Sequence, residues 1–139
     1  MTVTASDALL FIISGAMMIA LVSMVIISIL NKKRFLEVCR LYEAKFGTLP
    51  LAAAVLKDAD VIGFTAGYTT KMDFIIHPLI YGKKSIHSKN DDVAFIRDLP
   101  AKIRYWFIAE FVCSVIGLVA LLLGGLWLWV NKRPIYHQV

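Results

Sequence analysis

The sequence predicts an all-α membrane protein, with two transmembrane helices in an antiparallel hairpin joined by a helical, cytoplasmic central segment. Three observations predict it. Hydrophobic residues make up 59% of the 139-residue chain and charged residues 18%, against about 45–50% and 25% in ordinary soluble domains. The apolar excess is gathered into two blocks, one near each end. Lys and Arg avoid those blocks and crowd the stretch between them.

Residues 1–7 form a short external N-terminus, and the first block follows over residues 8–30. Ala8–Leu30 is 23 residues without a charge, roughly 35 Å of helix, enough to cross a hydrocarbon core of about 30 Å. Ser6 and Asp7 stand where an N-cap is expected. Lys32, Lys33 and Arg34 end the span. The leader lacks Lys and Arg, and the core is longer than the ~7–15 apolar residues of a signal peptide. The block therefore reads as an uncleaved anchor.

No Gly or Pro interrupts Ala16 to Phe46, so the helix is expected to continue past the membrane surface. There Phe35, Val38, Tyr42 and Phe46 recur at three and four residues and form one apolar face. That face packs on the rest of the central segment or, in the sharper reading, on a partner. Gly47 suits the left-handed position after the helix. A short helix is expected from Pro50 to Asp60, with Thr48 as cap and Pro50 in its first turn. Val61 to Tyr81 is harder to read. Its apolar piece Phe74-Ile75-Ile76 is too short to span and suits a partner or the interface. Gly82-Lys83-Lys84-Ser85 marks a turn. A last helix is expected from Asn90, with Asp91 and Asp92 in its first turn, Phe95, Ile96, Leu99 and Ile103 on its apolar face, and a kink at Pro100. Residues 31–104 together make the basic, mainly helical segment, stabilised by its two membrane stems or by other subunits.

The second span covers residues 105–130, with a short external tail over 131–139. Tyr105 and Trp106 mark one edge and Trp127 and Trp129 the other, with Tyr136 beyond, as in an interfacial aromatic belt. Its single charge, Glu110, is the first residue to test, because a carboxylate inside a span marks a function or a partner by default. Lying only roughly 7–8 Å past Tyr105, it is expected to reach headgroups or to pair with Arg104 or Lys102. Ala16 and Ala20 in the first span, and Cys113, Gly117, Ala120 and Gly124 in the second, offer small-residue spacing for close helix approach.

Charge sets the orientation. Of 15 Lys and Arg, 13 lie between the spans, two follow the second and none precedes the first. The positive-inside rule puts the centre in the cytoplasm and both termini outside. The net charge of +5 and a pI of about 9.3 then speak for anionic lipid and not for nucleic acid. Cys39 and Cys113 are too few and too far apart for a disulfide framework.

Chemical motifs fail on inspection. Gly63 to Lys71 resembles a phosphate loop but lacks the GxxxxGK[ST] register. His77, His87 and His137 have no metal-ligand spacing, although Asp91 and Asp92 follow His87. There is no nucleophile elbow. The expectation is a non-enzyme without metal or cofactor.

The run Asp91-Asp92-Val93-Ala94-Phe95-Ile96-Arg97, followed by a basic helix and an apolar stretch ending in Trp127-Leu128-Trp129, resembles the universal stress protein B family. Ile80-Tyr81 and His87 are similarly placed. The first half agrees only in layout. The resemblance implies a bacterial inner-membrane protein linked to stationary-phase or solvent stress, with no catalytic residues to carry over. The expected function is a small membrane protein acting through lipid or protein contacts, stress-associated. The alternative is an accessory subunit of a transporter, secretion or respiratory assembly. Partners would be membrane lipid together with a membrane protein or a second copy of the chain.

Overall fold

The computed structural model describes residues 4–82 and 93–131. Expectations for His87, the Lys83–Ser85 turn, the Asn90 cap with Asp91 and Asp92, and the tail from Lys132 on lie outside the described residues. Six α-helices and one π-helical stretch, and no strand, occur among those described.

Helix α1 runs unbroken over Ala5–Phe46, 42 residues. It starts one turn earlier than expected: Thr4, not Ser6 or Asp7, is the N-cap. Thr4 Oγ1 accepts from the Asp7 N–H at 3.3 Å while the Asp7 carboxylate accepts from the Thr4 N–H at 3.1 Å. This reciprocal capping box satisfies two N–H groups that the first turn leaves without partners. Gly47 ends α1 at φ +79°, its N–H donating to Glu43 O at 2.7 Å.

Helix α2 is Leu51–Asp58. Pro50 sits at its N-cap, not in its first turn, and no side chain caps it. Helix α3 is Val61–Ala66, capped by Asp60, and Gly67 separates it from α4, Tyr68–Lys71. The rod continues without a break into a π-helical stretch, Met72–Tyr81, which contains Pro78 and stops at Gly82 (φ +63°). Helix α5, Val93–Arg97, and helix α6, Ala101–Val130, are separate. The kinked helix expected through Pro100 is therefore two helices, with Pro100 as the N-cap of the second. Proline lacks the N–H to continue the ladder and disfavours helical geometry in the residue before it.

The core lies at one end of the molecule. Phe35, Val38, Cys39 and Tyr42 from α1 meet Phe64, Phe74, Ile75, Ile76, Phe95, Ile96, Leu99 and Phe107. Edge-on ring contacts knit it, with Phe35 5.3 Å from Phe64 and Tyr42 5.2 Å from Phe95 between ring centroids. Each such side chain contributes about 1.5–3 kcal/mol on burial. Phe74-Ile75-Ile76 thus fills this chain's own core instead of facing a partner.

Helices α1 and α6 are long and apolar enough to cross a membrane. They touch at three levels. Asn31 meets Glu110, Ala20 lies against Gly117, and Ile13 against Gly124. In the most apolar 18-residue stretch of each helix, only 6% and 11% of residues are buried within the chain.

Candidate functional site

The described residues contain one fully buried ion pair, and it sits where α1 and α6 leave the central core. Lys71 and Glu110 are both without solvent exposure. Lys71 Nζ donates to Glu110 Oε1 and, at 2.7 Å, to Ser28 Oγ. It also lies 4.4 Å from the Phe64 ring centroid. The second carboxylate oxygen, Glu110 Oε2, accepts from Asn31 Nδ2 at 2.8 Å. The same amide nitrogen donates to Trp106 O at 3.1 Å. Both contacts of that nitrogen are acceptors, which sets the orientation of the Asn31 amide.

Around this centre the polar groups form a chain. Ser28 Oγ donates to Thr65 Oγ1 at 3.4 Å, and Thr65 Oγ1 donates to Val61 O at 2.9 Å. One turn further along α6, the Tyr68 hydroxyl donates to Ser114 Oγ, which itself donates to Phe111 O at 2.7 Å. Lys32 Nζ holds Ala59 O at 2.7 Å, fixing the joint between α2 and α3. Arg34 lies over the Trp106 ring at 4.3 Å. Four separate elements, α1, α3, α4 and α6, are thereby tied together by side chains.

The local sequence explains why each group arrives there. Ser28 and Asn31 are three apart, and Asn31 and Phe35 four apart, so one stripe of α1 passes from polar to aromatic. At Gly67 the chain passes close to α2. A Cβ built there would stand 2.3 Å from Leu56 Cδ1. Lys71 then ends α4 pointing between the long helices.

Chemically the arrangement pairs its charged groups with one another and with their neighbours. Both oxygens of the carboxylate are occupied, and the ammonium is used by two acceptors and a ring face. Burying two charges is costly and is offset only when pairing and hydrogen bonds are this complete. Asn31 Oδ1 and Arg104 Nε are the buried side-chain atoms among the described residues without a hydrogen-bond partner. No group of three His, Cys, Asp or Glu that could hold a metal occurs among the described residues.

The other sequence candidates are dispersed. Glu110 pairs with Lys71 and not with Arg104 or Lys102. Arg104 lies six residues back, about 120° round the helix, and Lys102 is exposed. Phe35 and Tyr42 are buried by their own chain, which removes them as a partner surface, and Phe46 stays 40% exposed. Ala20, Gly117 and Ala120 are buried and Gly124 half-buried, whereas Ala16 is exposed. Cys113 is half-buried and unpaired, and Cys39 is buried in the core.

Sequence reasoning missed Lys71, Asn31, Ser28, Thr65, Tyr68 and Ser114. A signal for Lys71 existed: it is the only Lys or Arg between Lys57 and Lys83. A lone cation in an apolar stretch is the natural partner of a lone carboxylate in a span. Asn31, Ser28 and the two hydroxyl pairs carry no such mark. No protein-family model, curated protein or solved structure matches this chain.

Proposed function

We propose that this chain is a non-enzymatic integral membrane protein that acts through contacts with lipid or another membrane protein. α1 and α6 cross the bilayer as an antiparallel hairpin, and the basic core forms a cytoplasmic cap. The observation that carries this reading is the bareness of the two apolar stretches, of which 6% and 11% is buried in the chain. A core helix of a soluble protein would be mostly covered. Such a surface needs acyl chains. The positive-inside distribution supports the cytoplasmic cap and external termini in a bacterial inner membrane.

The buried ion pair supports a fixed scaffold. It fastens the cap to both long helices, so that the chain presents one surface to its surroundings. A stress-associated role is part of the proposal and rests on the family resemblance. The stand-alone reading is preferred because the two faces an accessory subunit would bury against other chains, Phe35–Phe46 and Ala120/Gly124, are partly used internally. Phe35 and Tyr42 fill the cap, and Gly117 and Gly124 receive Ala20 and Ile13.

Three measurements test this. The protein should stay with membranes through alkaline carbonate extraction, and a reporter after Val139 that works only in the cytoplasm should be silent. Release into the soluble fraction overturns the membrane reading, and an active reporter overturns the orientation. Purification in mild detergent should yield the chain by itself or with copies of itself. A fixed heteromeric partner would turn the choice to the accessory subunit.

A further inference from the structure

The segment joining α2 to the π-helical stretch sits at the level of the long helices' charge-free portions, not above them. Thr65 meets Ser28, inside the Leu30 end of the charge-free stretch. Lys71 meets Ser28 and Glu110. Tyr68 reaches Ser114, nine residues past Tyr105 in the sequence, roughly 13 Å along the helix. At the entrance, Lys32 holds Ala59 O at 2.7 Å and Asp60 caps α3, so charged groups mark the level where the segment begins.

Resting on the membrane-spanning reading above, we propose that Val61–Lys71 is a re-entrant elbow that dips into the lipid beside the two spans, with Ile62 and Val61 against acyl chains. Ile62 is 79% exposed and Val61 44%, and both neighbour a surface that is itself lipid-facing. Backbone can enter hydrocarbon only when its polar groups are satisfied internally. The elbow supplies several of these bonds itself. Phe64 N–H donates to Asp60 O at 2.8 Å, Gly67 N–H to Gly63 O at 2.8 Å, and Lys71 N–H to Gly67 O at 3.2 Å. The exposed start of α3 is covered by Asp60 Oδ1, which accepts from Gly63 N–H at 2.6 Å. The elbow's one charge, Lys71, is neutralised by Glu110. Leu51 is as bare, at 81%, but belongs to α2, whose Lys57 pairs with Glu43. Glu43 lies eleven residues beyond Lys32 in α1, roughly 16 Å further from the spans, so Leu51 stays outside the lipid.

The test uses the unmodified full chain in phosphatidylcholine–phosphatidylglycerol vesicles in which some phospholipid carries a diazirine at the end of an acyl chain. Photolysis followed by peptide mapping should place label on the α1 and α6 spans and on Val61–Lys71, with none on Leu51–Asp58. Labelled spans beside an unlabelled Val61–Lys71 overturn the elbow alone, including the case in which another protein covers Ile62. Equal label on Leu51–Asp58 also overturns it, since depth would not then separate the segments. Unlabelled spans overturn the membrane reading and the elbow with it.

Discussion

Helix α1 passes through two environments, and its two halves are built for different partners. Up to Leu30 its side chains are apolar and mostly uncovered, as with Phe11 at 75% and Ile19 at 70% exposure. From Asn31 onward the same helix buries Phe35, Val38, Cys39 and Tyr42 completely or nearly so in its own chain. Short of Ser28, the first half meets the other described residues mainly along a line of contact with α6. The second half is a core element like any in a soluble protein. Hydrophobic residues alone do not distinguish the two. What separates them is the stripe of Ser28 and Asn31, where α1 stops being bare and begins to be covered by the elbow and cap.

That contrast can be broken most sharply at the ion pair. Lys71→Met or Glu110→Gln alone should each cost about 3–5 kcal/mol, because one charge or its strong partner is left uncompensated in a dry site. Lys71→Met combined with Glu110→Met should recover most of the loss. Unfolding by a denaturing detergent titrated into mixed micelles measures all three, and two neutral single variants would show that the site is wet. Next, Phe35→Ala should cost about 3–5 kcal/mol, as for a large core residue, while Leu122→Ala, 63% exposed, should stay within about 0.5 kcal/mol. Equal losses would erase the distinction between core and bare helix.

A smaller contrast lies within the long helices. Gly117→Leu should cost about 1–3 kcal/mol by overpacking, since a Cβ there already lies 3.6 Å from Ala20 Cβ. Gly15→Leu should be tolerated, because nothing lies within 4 Å of its added Cβ. Cross-linking yield between cysteines placed at positions 13 and 124, which also face each other across the two helices, reports the first, and a partner-free chain should show no change for the second. Smallest and most local, Thr4→Ala should cost about 1 kcal/mol through loss of the cap. It should appear as faster hydrogen exchange confined to the first turn of α1. A global change would mean that the N-terminus is tied to the core.

The two long apolar helices, the unbroken run of α1 to Phe46 and its glycine stop are legible in the residues. These follow from local properties: uninterrupted apolar residues, the absence of Gly and Pro, and a position that needs a positive φ. Glu110 is legible too, because a charge in an apolar run is visible without any structure. What Glu110 meets depends on the packing. Lys71, 39 residues away in the chain, reaches it because the core places α4 between α1 and α6. No periodicity encodes such a meeting. The same holds for Pro100, where a kink and a break share one sequence signal and the packing of Leu99 and Phe107 into the cap chose the break. Which apolar face is bare and which is covered was decided the same way, since a stripe of Phe, Val and Tyr reads alike whether lipid, another chain or its own cap lies against it.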